Sequence, residues 1–176
     1  MCIRDSPKTG STTWQGPGGG SSTPTAAGDI LLVHGKPEEV GLIAFRNIKG
    51  KILEEWRFPK LSRRAESSPL IFDGKAFLIG AGLRLSLDLD SGKVLRQVPS
   101  KHEISSAILA NGRIFAFEIN GSFLNSFDAR KGDFADEQRF KVNALKCTSP
   151  ALVGSKILIR TSENIKCYEL GNLPLN

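Results

Sequence analysis

SSPLIFDGKAFLIG, residues Ser67 to Gly80, decides the fold of this chain. A short extended segment is followed by the dipeptide Asp73-Gly74 and by a second apolar segment, KAFLI. Asp-Gly supplies the positive backbone φ angles that a two-residue hairpin turn requires. The flanking runs are too short for helices, contain β-branched and aromatic residues, and are bounded by turn residues. The stretch therefore predicts a β-hairpin.

The same hairpin phrase recurs about every 40 residues. It returns as SSAILANGRIFAF from Ser105 and as TSPALVGSKILIR from Thr148, and an earlier copy begins at Thr23. Each copy starts on a small residue followed by a turn dipeptide, and the four turns are Gly28-Asp29, Asp73-Gly74, Asn111-Gly112 and Gly154-Ser155. Such a period is typical of folds that repeat one supersecondary unit.

A second motif repeats with the same period. The phrases IAFRNIKGK, LSLDLDSGK, NSFDARKGD and KCYELGN align on Phe45, Leu87, Phe127 and Tyr168. In the first three phrases a glycine follows, and then another strand-like run: KILEEWRF, KVLRQV and DFADEQRF. Each complete unit therefore holds four short strands joined by tight turns.

Four strands in about 40 residues predict one blade of a β-propeller. Apolar runs such as AFLI and ILLV fit a sheet that neighbours bury on both faces. We predict an all-β fold, a partial β-propeller of about 3.5–4 four-stranded antiparallel blades, over residues 23–176. The blades span about 23–62, 65–102 and 104–144, and a partial fourth at 147–170 lacks its last strand.

Residues 1–22 are rich in Gly, Ser, Thr and Pro and predict a loop or disordered leader. Trp14 is an exception, and we interpret it as the end of an earlier structural unit. The opening MCIRDS, residues 1–6, resembles a translated sequencing-adapter remnant, so we expect the natural N-terminus to lie elsewhere. Residues 1–25 contain no apolar segment of the kind that a secretory signal needs.

The length of 176 residues predicts one folded domain. Its formal charge of +6 makes the protein only mildly basic compared with nucleic-acid-binding proteins. No apolar run approaches the roughly 18 residues of a membrane span. Much of the excess positive charge lies between Arg46 and Arg64, where the only acidic residues are Glu54 and Glu55. A solvated loop and strand edge explains this pattern. The alternative is a surface for an anionic partner, formed by Arg46, Lys49, Lys51, Arg57, Lys60, Arg63 and Arg64.

The other residues that could bind a metal ion or act in catalysis each have a structural explanation. The run from Asp88 to Gly92 resembles part of a calcium loop, but no closing Glu follows at suitable spacing, so we predict a turn shaped by Asp and Ser. His34 and His102 are the only histidines and lie outside any catalytic motif, so we place them in loops or at strand ends. The residues predict no catalytic, cofactor-binding or metal-binding site.

The cysteines match neither a disulfide scaffold nor a zinc site. Strand register places Cys167 opposite Leu158, which itself lies opposite Ala151, and Cys147 starts the first strand of that unit. Two strands apart is roughly 9–10 Å, which exceeds the reach of a disulfide. We therefore predict that Cys147 and Cys167 are buried thiols.

The repeat phrases resemble those of the pyrroloquinoline-quinone (PQQ) type of β-propeller. The resemblance is carried by SSPLIFDGKAFLIG with LSLDLDSGKVL, and by TSPALVGSKILIR with IKCYEL, and it covers about residues 23–170. Trp56 alone matches the tryptophan that ends a blade in this family. The family's vicinal disulfide has no counterpart here, and no residue matches a cofactor ligand of the family.

The resemblance implies a non-catalytic binding or scaffold module of an exported, periplasmic or secreted protein. The alternative is a fragment of a quinone-dependent dehydrogenase, and only that alternative implies quinone and Ca²⁺ as cofactors. Propellers close with typically four to eight blades. We therefore expect this chain to be the C-terminal part of a larger propeller, with the remaining blades as its partner. The partner protein or small ligand is not identified by the resemblance, and nucleic acid is not expected.

Overall fold

The structure is a computed structural model. It describes residues 2–5, 8–18, 22–35, 40–59, 61, 67–80, 82–100, 103, 106–146 and 148–172. In this part of the chain the one helical element is a single 3₁₀ turn, Leu170–Asn172, and no helix has the length and apolar character needed to cross a membrane.

Strands make up the rest of the regular structure, and every pairing between them is antiparallel. A leading hairpin consists of β1 (Cys2–Asp5) and β2 (Thr12–Gly16). Blade 1 consists of β3 (Thr25–Ala27), β4 (Ile30–Gly35), β5 (Gly41–Ile48) and β6 (Lys51–Phe58). Blade 2 consists of β7 (Leu70–Phe72), β8 (Lys75–Ile79), β9 (Leu83–Asp88) and β10 (Val94–Pro99).

Blade 3 consists of β11 (Ile108–Ala110), β12 (Arg113–Phe117), β13 (Phe123–Asp128) and β14 (Gln138–Lys141). Blade 4 has three described strands: β15 (Ala151–Val153), β16 (Lys156–Arg160) and β17 (Ile165–Glu169). The predicted fold, a partial β-propeller of three four-stranded blades and one incomplete blade, is confirmed.

Two of the predicted turn dipeptides have the positive φ angles at both residues that the sequence analysis expected. Asp73 and Gly74 have φ angles of 48° and 67°, and Asn111 and Gly112 have φ angles of 50° and 72°. The same backbone hydrogen bond also recurs in each of the four blades. The N–H group of the residue two positions after Phe45, Leu87, Phe127 or Tyr168 donates to the carbonyl of the second residue of the turn dipeptide. Its four copies join Asn47 to Asp29, Leu89 to Gly74, Ala129 to Gly112 and Leu170 to Ser155, at 2.8–2.9 Å.

The small residue that starts each sequence repeat links neighbouring blades. The backbone N–H of Thr23 donates to the hydroxyl of Ser68 at 2.8 Å, and the N–H of Ser68 donates to the hydroxyl of Ser106 at 3.1 Å. The three residues therefore form a chain of hydrogen bonds across blades 1, 2 and 3. The hydroxyl groups of Ser68 and Ser106 accept these bonds, which explains a hydroxyl residue at the anchors of blades 2 and 3.

Hydrophobic cores lie between the blades. Leu42 and Ala44 of β5 pack with Leu78, Leu85 and Leu87 of blade 2. The next interface contains Phe77, Ile79, Ile114, Phe127 and Phe134, and the last contains Phe115, Leu124, Phe140, Ile157 and Ile159. The apolar runs of β4, β8 and β12 are buried because each sheet is covered on both faces.

Trp56 joins blade 1 to blade 2. Its indole Nε1 donates to the carbonyl of Leu89 at 2.8 Å. The ring lies over Gly92, where a Cβ atom would come 2.6 Å from the indole, and the φ of Gly92 is +67°. Both features require glycine at this turn. The tryptophan that the sequence singled out thus holds the outer edge of the interface.

The prediction of a loop or disordered leader is wrong for residues 2–5 and 12–16, which pair as β1 and β2. Trp14 packs edge-on against Phe45 with ring centroids 5.0 Å apart, in a core with Val33 and Ile43. Burial of the large indole outweighs the low strand propensity of the Gly- and Pro-rich flanks. The high content of Gly, Ser, Thr and Pro in residues 1–22 gave no indication of this contact.

The prediction of a buried thiol is wrong for Cys167, which is exposed, whereas Cys147 lies outside the described residues. The predicted register is confirmed, since Cys167 pairs with Leu158 and Leu158 with Ala151. Residues at the equivalent position of the preceding blades, Ala44, Ser86 and Ser126, are fully buried. They are covered by the next blade, and no described sheet covers this face of β17.

Candidate functional site

The candidate site is a polar cleft between blades 2 and 3. It is lined by Arg84, Pro99, Ser100, Glu118, Asn125, Glu137 and Arg139 and has a volume of about 420 Å³. The charged side chains in it come from different parts of the repeat, and the long-range fold brings them together.

Alternation along β9 places Arg84 in the cleft. Leu85 and Leu87 point into the core shared with blade 1. Ser86 points the other way and donates to the carbonyl of Gly132 in blade 3 at 2.6 Å. Because successive side chains of a strand face opposite sides of its sheet, Arg84 also faces blade 3.

Arg84 forms a buried ion pair with Glu103, which lies in the connection from blade 2 to blade 3. Nη2 and Nε of Arg84 donate to Oε1 of Glu103 at 2.6 and 3.2 Å. The side chain of Glu103 is 0% exposed and that of Arg84 is 9% exposed. The hydroxyl of Ser100 donates to Oε2 of Glu103, so both carboxylate oxygens have partners.

A second carboxylate and an aromatic ring fix the guanidinium in place. Nη1 and Nη2 of Arg84 donate to Oε2 and Oε1 of Glu137 in blade 3, at 3.0 and 2.9 Å. The guanidinium carbon lies 4.3 Å from the ring centroid of Phe127. Bidentate pairing and stacking on a ring both require a planar cation, which is why lysine would not substitute here.

Arg139 and Glu118 form a second bidentate pair at the wall of the cleft. Nε and Nη2 of Arg139 donate to the two carboxylate oxygens of Glu118 at 2.8 and 3.1 Å. The guanidinium of Arg139 also covers the ring of Phe123, at 3.4 Å from its centroid. The backbone of Glu118 also pairs with the backbone of Glu103 in an isolated antiparallel β-bridge.

Asn125 of β13 completes the cleft and has an unused acceptor. Its Nδ2 donates to Oε1 of Glu103 at 2.8 Å. Its Oδ1 accepts no hydrogen bond within the described part of the chain, although the residue is only 1% exposed. Buried polar atoms in native proteins almost always have a partner, so an unpaired amide oxygen on the wall of a cleft needs an explanation.

The ionisation of Glu103 reflects two opposing effects. Burial raises the pKa of this carboxyl group, but hydrogen bonds from Arg84 and Ser100, the charge of Arg84 and the hydrogen bond from Asn125 outweigh it, and the pKa lies below its usual value. Burial likewise lowers the pKa of Arg84, and its bonds to Glu137 and Glu103 raise it by more. Both groups therefore remain charged at neutral pH.

The predicted anionic-partner surface is partly neutralised within the chain. Arg46 pairs with Asp29, Glu55 and Asp90, at 2.7–3.4 Å. Arg57 pairs with Glu54 at 2.6 Å.

The remaining members of that surface are Lys49 and Lys51, which are exposed, and Lys60, Arg63 and Arg64, which lie outside the described residues. The anionic-partner surface stays a prediction.

His34 and Asp88 have structural roles. His34 is buried in β4, at 3% exposure, and its Nδ1 lies 2.9 Å from the carbonyl of Ser67. Oδ1 of Asp88 accepts from the backbone N–H and the hydroxyl of Ser91, and these bonds lower the pKa of Asp88. His102 lies outside the described residues. Among the described residues, no three His, Cys, Asp or Glu side chains are grouped so as to hold a metal ion.

The sequence contained one usable signal for the cleft. Arg84 occupies the position held by Leu42, Leu124 and Ile165 in the other three blades. A charged residue among apolar ones at a repeat position indicates either a site or a buried pair. Its partner Glu103 lies in an irregular connection, so no local pattern could identify it.

Comparison with solved structures finds propellers. BamB from Moraxella catarrhalis superposes with a TM-score of 0.66 at 15% identity, over 98% of this chain and 53% of that chain. Apo AztD from Citrobacter koseri gives a TM-score of 0.58 at 14% identity, over 87% of this chain and 45% of that one. A europium-containing methanol dehydrogenase gives 0.51 at 12% identity, over 68% and 24%.

This chain thus spans about half the length of the BamB chain it matches, 53%. No family model and no curated protein matches the sequence. The repeated blades and these structural neighbours show that the chain has the fold of the PQQ-type β-propellers.

Proposed function

We propose that this chain is part of a non-catalytic binding module of an exported protein, and that the polar cleft between blades 2 and 3 binds a small ligand. The observation that carries the proposal is the unpaired, buried Oδ1 of Asn125 on the wall of the cleft. Leaving such an acceptor without a partner costs roughly 1–3 kcal/mol. A bound ligand that donates to it removes this cost.

The charged groups of the cleft support binding rather than chemistry. Arg84 is held by Glu103 and Glu137, and Arg139 is held by Glu118, all through short hydrogen bonds. Groups fixed in this way form a rigid frame. Pre-formed sites of this kind lose little conformational entropy when a ligand binds.

A panel of small anions, neutral polyols and organic cations tests this function by thermal shift and isothermal titration calorimetry. The matched control is Asn125→Leu, because Leu85 occupies the equivalent position in blade 2. We expect at least one class of compound to bind the wild type, to lose affinity in the variant and to be recovered chemically unchanged. Failure of the whole panel, or binding that the variant retains, would contradict the proposal.

The alternative, a fragment of a quinone-dependent dehydrogenase, is included in the same experiment. PQQ and Ca²⁺ are added to the protein, and the absorption spectrum and dye-linked oxidation of alcohols are recorded. A stoichiometric bound chromophore with turnover would replace the binding-module proposal by the dehydrogenase.

We also propose that the remaining blades of a larger propeller are the partner of blade 4. Ile165 is 70% exposed, whereas Leu42 and Leu124 at the equivalent position are fully buried by the next blade. Cys167 is exposed on the same face. The covering surface is therefore expected to be another sheet of the same repeat, which presents apolar residues to this face.

Self-association of the 176-residue chain tests this partner. We expect concentration-dependent association in size-exclusion chromatography, since unpaired apolar sheet faces associate. A thiol reagent should label Cys167 in the native protein, with Cys167→Ser as the control for the other cysteines. A monomer that melts cooperatively at all concentrations would contradict the proposal.

A further inference from the structure

At the buried end of the polar cleft the unused hydrogen-bonding capacity is that of an acceptor, whereas Arg139 at the exposed wall keeps its Nη1 donors beyond the two bonds to Glu118. The donors of Arg84 are directed to Glu103 and Glu137, and Nδ2 of Asn125 is directed to Glu103. Among the described residues at this end, Oδ1 of Asn125 lacks a partner, and Glu118 and Glu137 keep spare lone pairs. A ligand that pairs with Asn125 must therefore supply a donor.

The orientation of the Asn125 amide is determined by its neighbour. Glu103 remains ionised, and an ionised carboxylate can only accept hydrogen bonds. The amide must then direct its NH₂ group toward Glu103 and its oxygen away from that carboxylate. A flipped amide would place an oxygen 2.8 Å from the carboxylate, and the two would repel each other.

The charge of the cleft has the same sign as its acceptors. Among the described residues, the ion pairs at and directly behind the cleft wall join two guanidinium groups, Arg84 and Arg139, to three carboxylates. These are Glu118 and Glu137 in the wall and the buried Glu103, which leaves one negative charge. An anion would meet both this charge and the open acceptor. A neutral alcohol offers one donor, whereas a primary ammonium group offers three donors, no acceptor and the compensating charge.

We propose that the polar cleft binds a primary alkylammonium group, which donates to Oδ1 of Asn125 and to the carboxylate oxygens of Glu118 and Glu137. The inference rests on the function proposed above and names its ligand class. The ammonium group belongs to a small organic amine or to a lysine side chain, and the recognition chemistry is the same for both.

Titration with n-butylammonium chloride, followed by calorimetry and by ¹⁵N chemical shifts, tests the ligand class. Butyltrimethylammonium carries the same charge without N–H donors, and 1-butanol carries a donor without the charge. We expect n-butylammonium to bind at least tenfold more tightly than either analogue, with an affinity that falls as ionic strength rises. Nα-acetyl-lysine amide then reports whether the cleft accepts the same group on a lysine side chain.

Two variants locate the binding in the cleft. Asn125→Leu removes the open acceptor, and Glu118→Gln removes one wall charge while it keeps the side-chain shape. Each is expected to weaken n-butylammonium at least tenfold. Asp90→Asn is the matched charge control, since Asp90 pairs with Arg46 in another part of the molecule, and it should leave the affinity unchanged.

Three results would overturn the inference: equal binding of butyltrimethylammonium, undiminished binding by Asn125→Leu, or a crystal structure with the probe in which Oδ1 of Asn125 contacts an ordered water only. If a different compound of the panel binds through Asn125, this inference fails and the binding function stands. If no compound binds, both fail.

Discussion

The interface between blades 1 and 2 and the interface between blades 2 and 3 use the same strand positions for different chemistry. In the first, Leu42 and Ala44 of β5 pack into an apolar core. In the second, the equivalent residues are Arg84 and Ser86 of β9, and they make an ion pair and a hydrogen bond.

The difference shows that the repeat fixes which strand positions face the next blade, whereas the side chains at those positions can be apolar or charged. An apolar interface needs only complementary shape, and many combinations of side chains provide it. The polar interface needs every charged atom to be paired, because a single unpaired buried charge is costly. The polar cleft is therefore the more sensitive of the two to substitution of one residue.

Glu103→Ala is expected to have the largest effect on stability. It leaves the guanidinium of Arg84 buried with only Glu137 as its charged partner, and removing one member of a buried pair costs about 3–5 kcal/mol. Urea unfolding at neutral pH measures the change in the free energy of unfolding. Glu137→Ala is the control: it removes the other partner of Arg84, but that side chain is 39% exposed, so the cost should be at most about 1 kcal/mol. Equal costs for both would show that burial does not decide the outcome.

Truncation in the apolar interface comes next. Leu42→Ala should cost about 2–5 kcal/mol, since it leaves a cavity among fully buried side chains. Ile165→Ala changes the equivalent position of the uncovered blade 4 and should alter stability by no more than about 0.5 kcal/mol. Unfolding is measured at low protein concentration to avoid association. A large cost at Ile165 would mean that this face is covered.

Acid should weaken the polar interface selectively. The pKa of Glu103 is lowered in the folded protein below its ordinary value of about 4.5. The stability that it contributes is therefore present above about pH 4.5 and is lost as the pH falls through the lower, folded pKa. The loss should be smaller than for Glu103→Ala, because the protonated carboxyl group still fills its space. Glu103→Gln should flatten the pH dependence of the urea midpoint below this pH, and an unchanged slope would contradict the assignment.

Apart from the control at Ile165, Trp56→Phe is expected to have the smallest effect on stability. It removes the hydrogen bond from the indole to the carbonyl of Leu89 and keeps an aromatic ring over Gly92. Loss of one such bond costs about 0.5–1.5 kcal/mol. Thermal unfolding followed by circular dichroism measures it. No change in the melting temperature would show that packing alone holds the outer edge of the apolar interface.

The fold could be predicted from the sequence because its signals are local and repeated. Turn dipeptides such as Asp73-Gly74 need positive φ angles, and their recurrence gave the blade boundaries and the register of Cys167 against Leu158. Exposure of Cys167 could not be predicted in the same way, since it depends on whether another sheet follows.

The polar cleft could not be predicted because its contacts are long-range. Arg84 contacts Glu137, which lies 53 residues away, and Glu103 belongs to a connection without a repeat pattern. The position of Arg84 in the repeat marks it as unusual. Its partners and the open acceptor of Asn125 follow only from coordinates. The leading hairpin was missed for a related reason, since the contact of Trp14 with Phe45 spans two units.

The hydrogen-bonded chain through Thr23, Ser68 and Ser106 has a consequence for how this protein tolerates insertions. It sets the spacing of adjacent blades at their first strands, so added residues at a distant turn need not alter that spacing. Gly50 lies in such a turn, with no heavy atom within 4 Å of the place where a Cβ would stand. New loops, such as epitopes or metal-binding peptides, could be inserted there while the neighbouring blades keep their alignment.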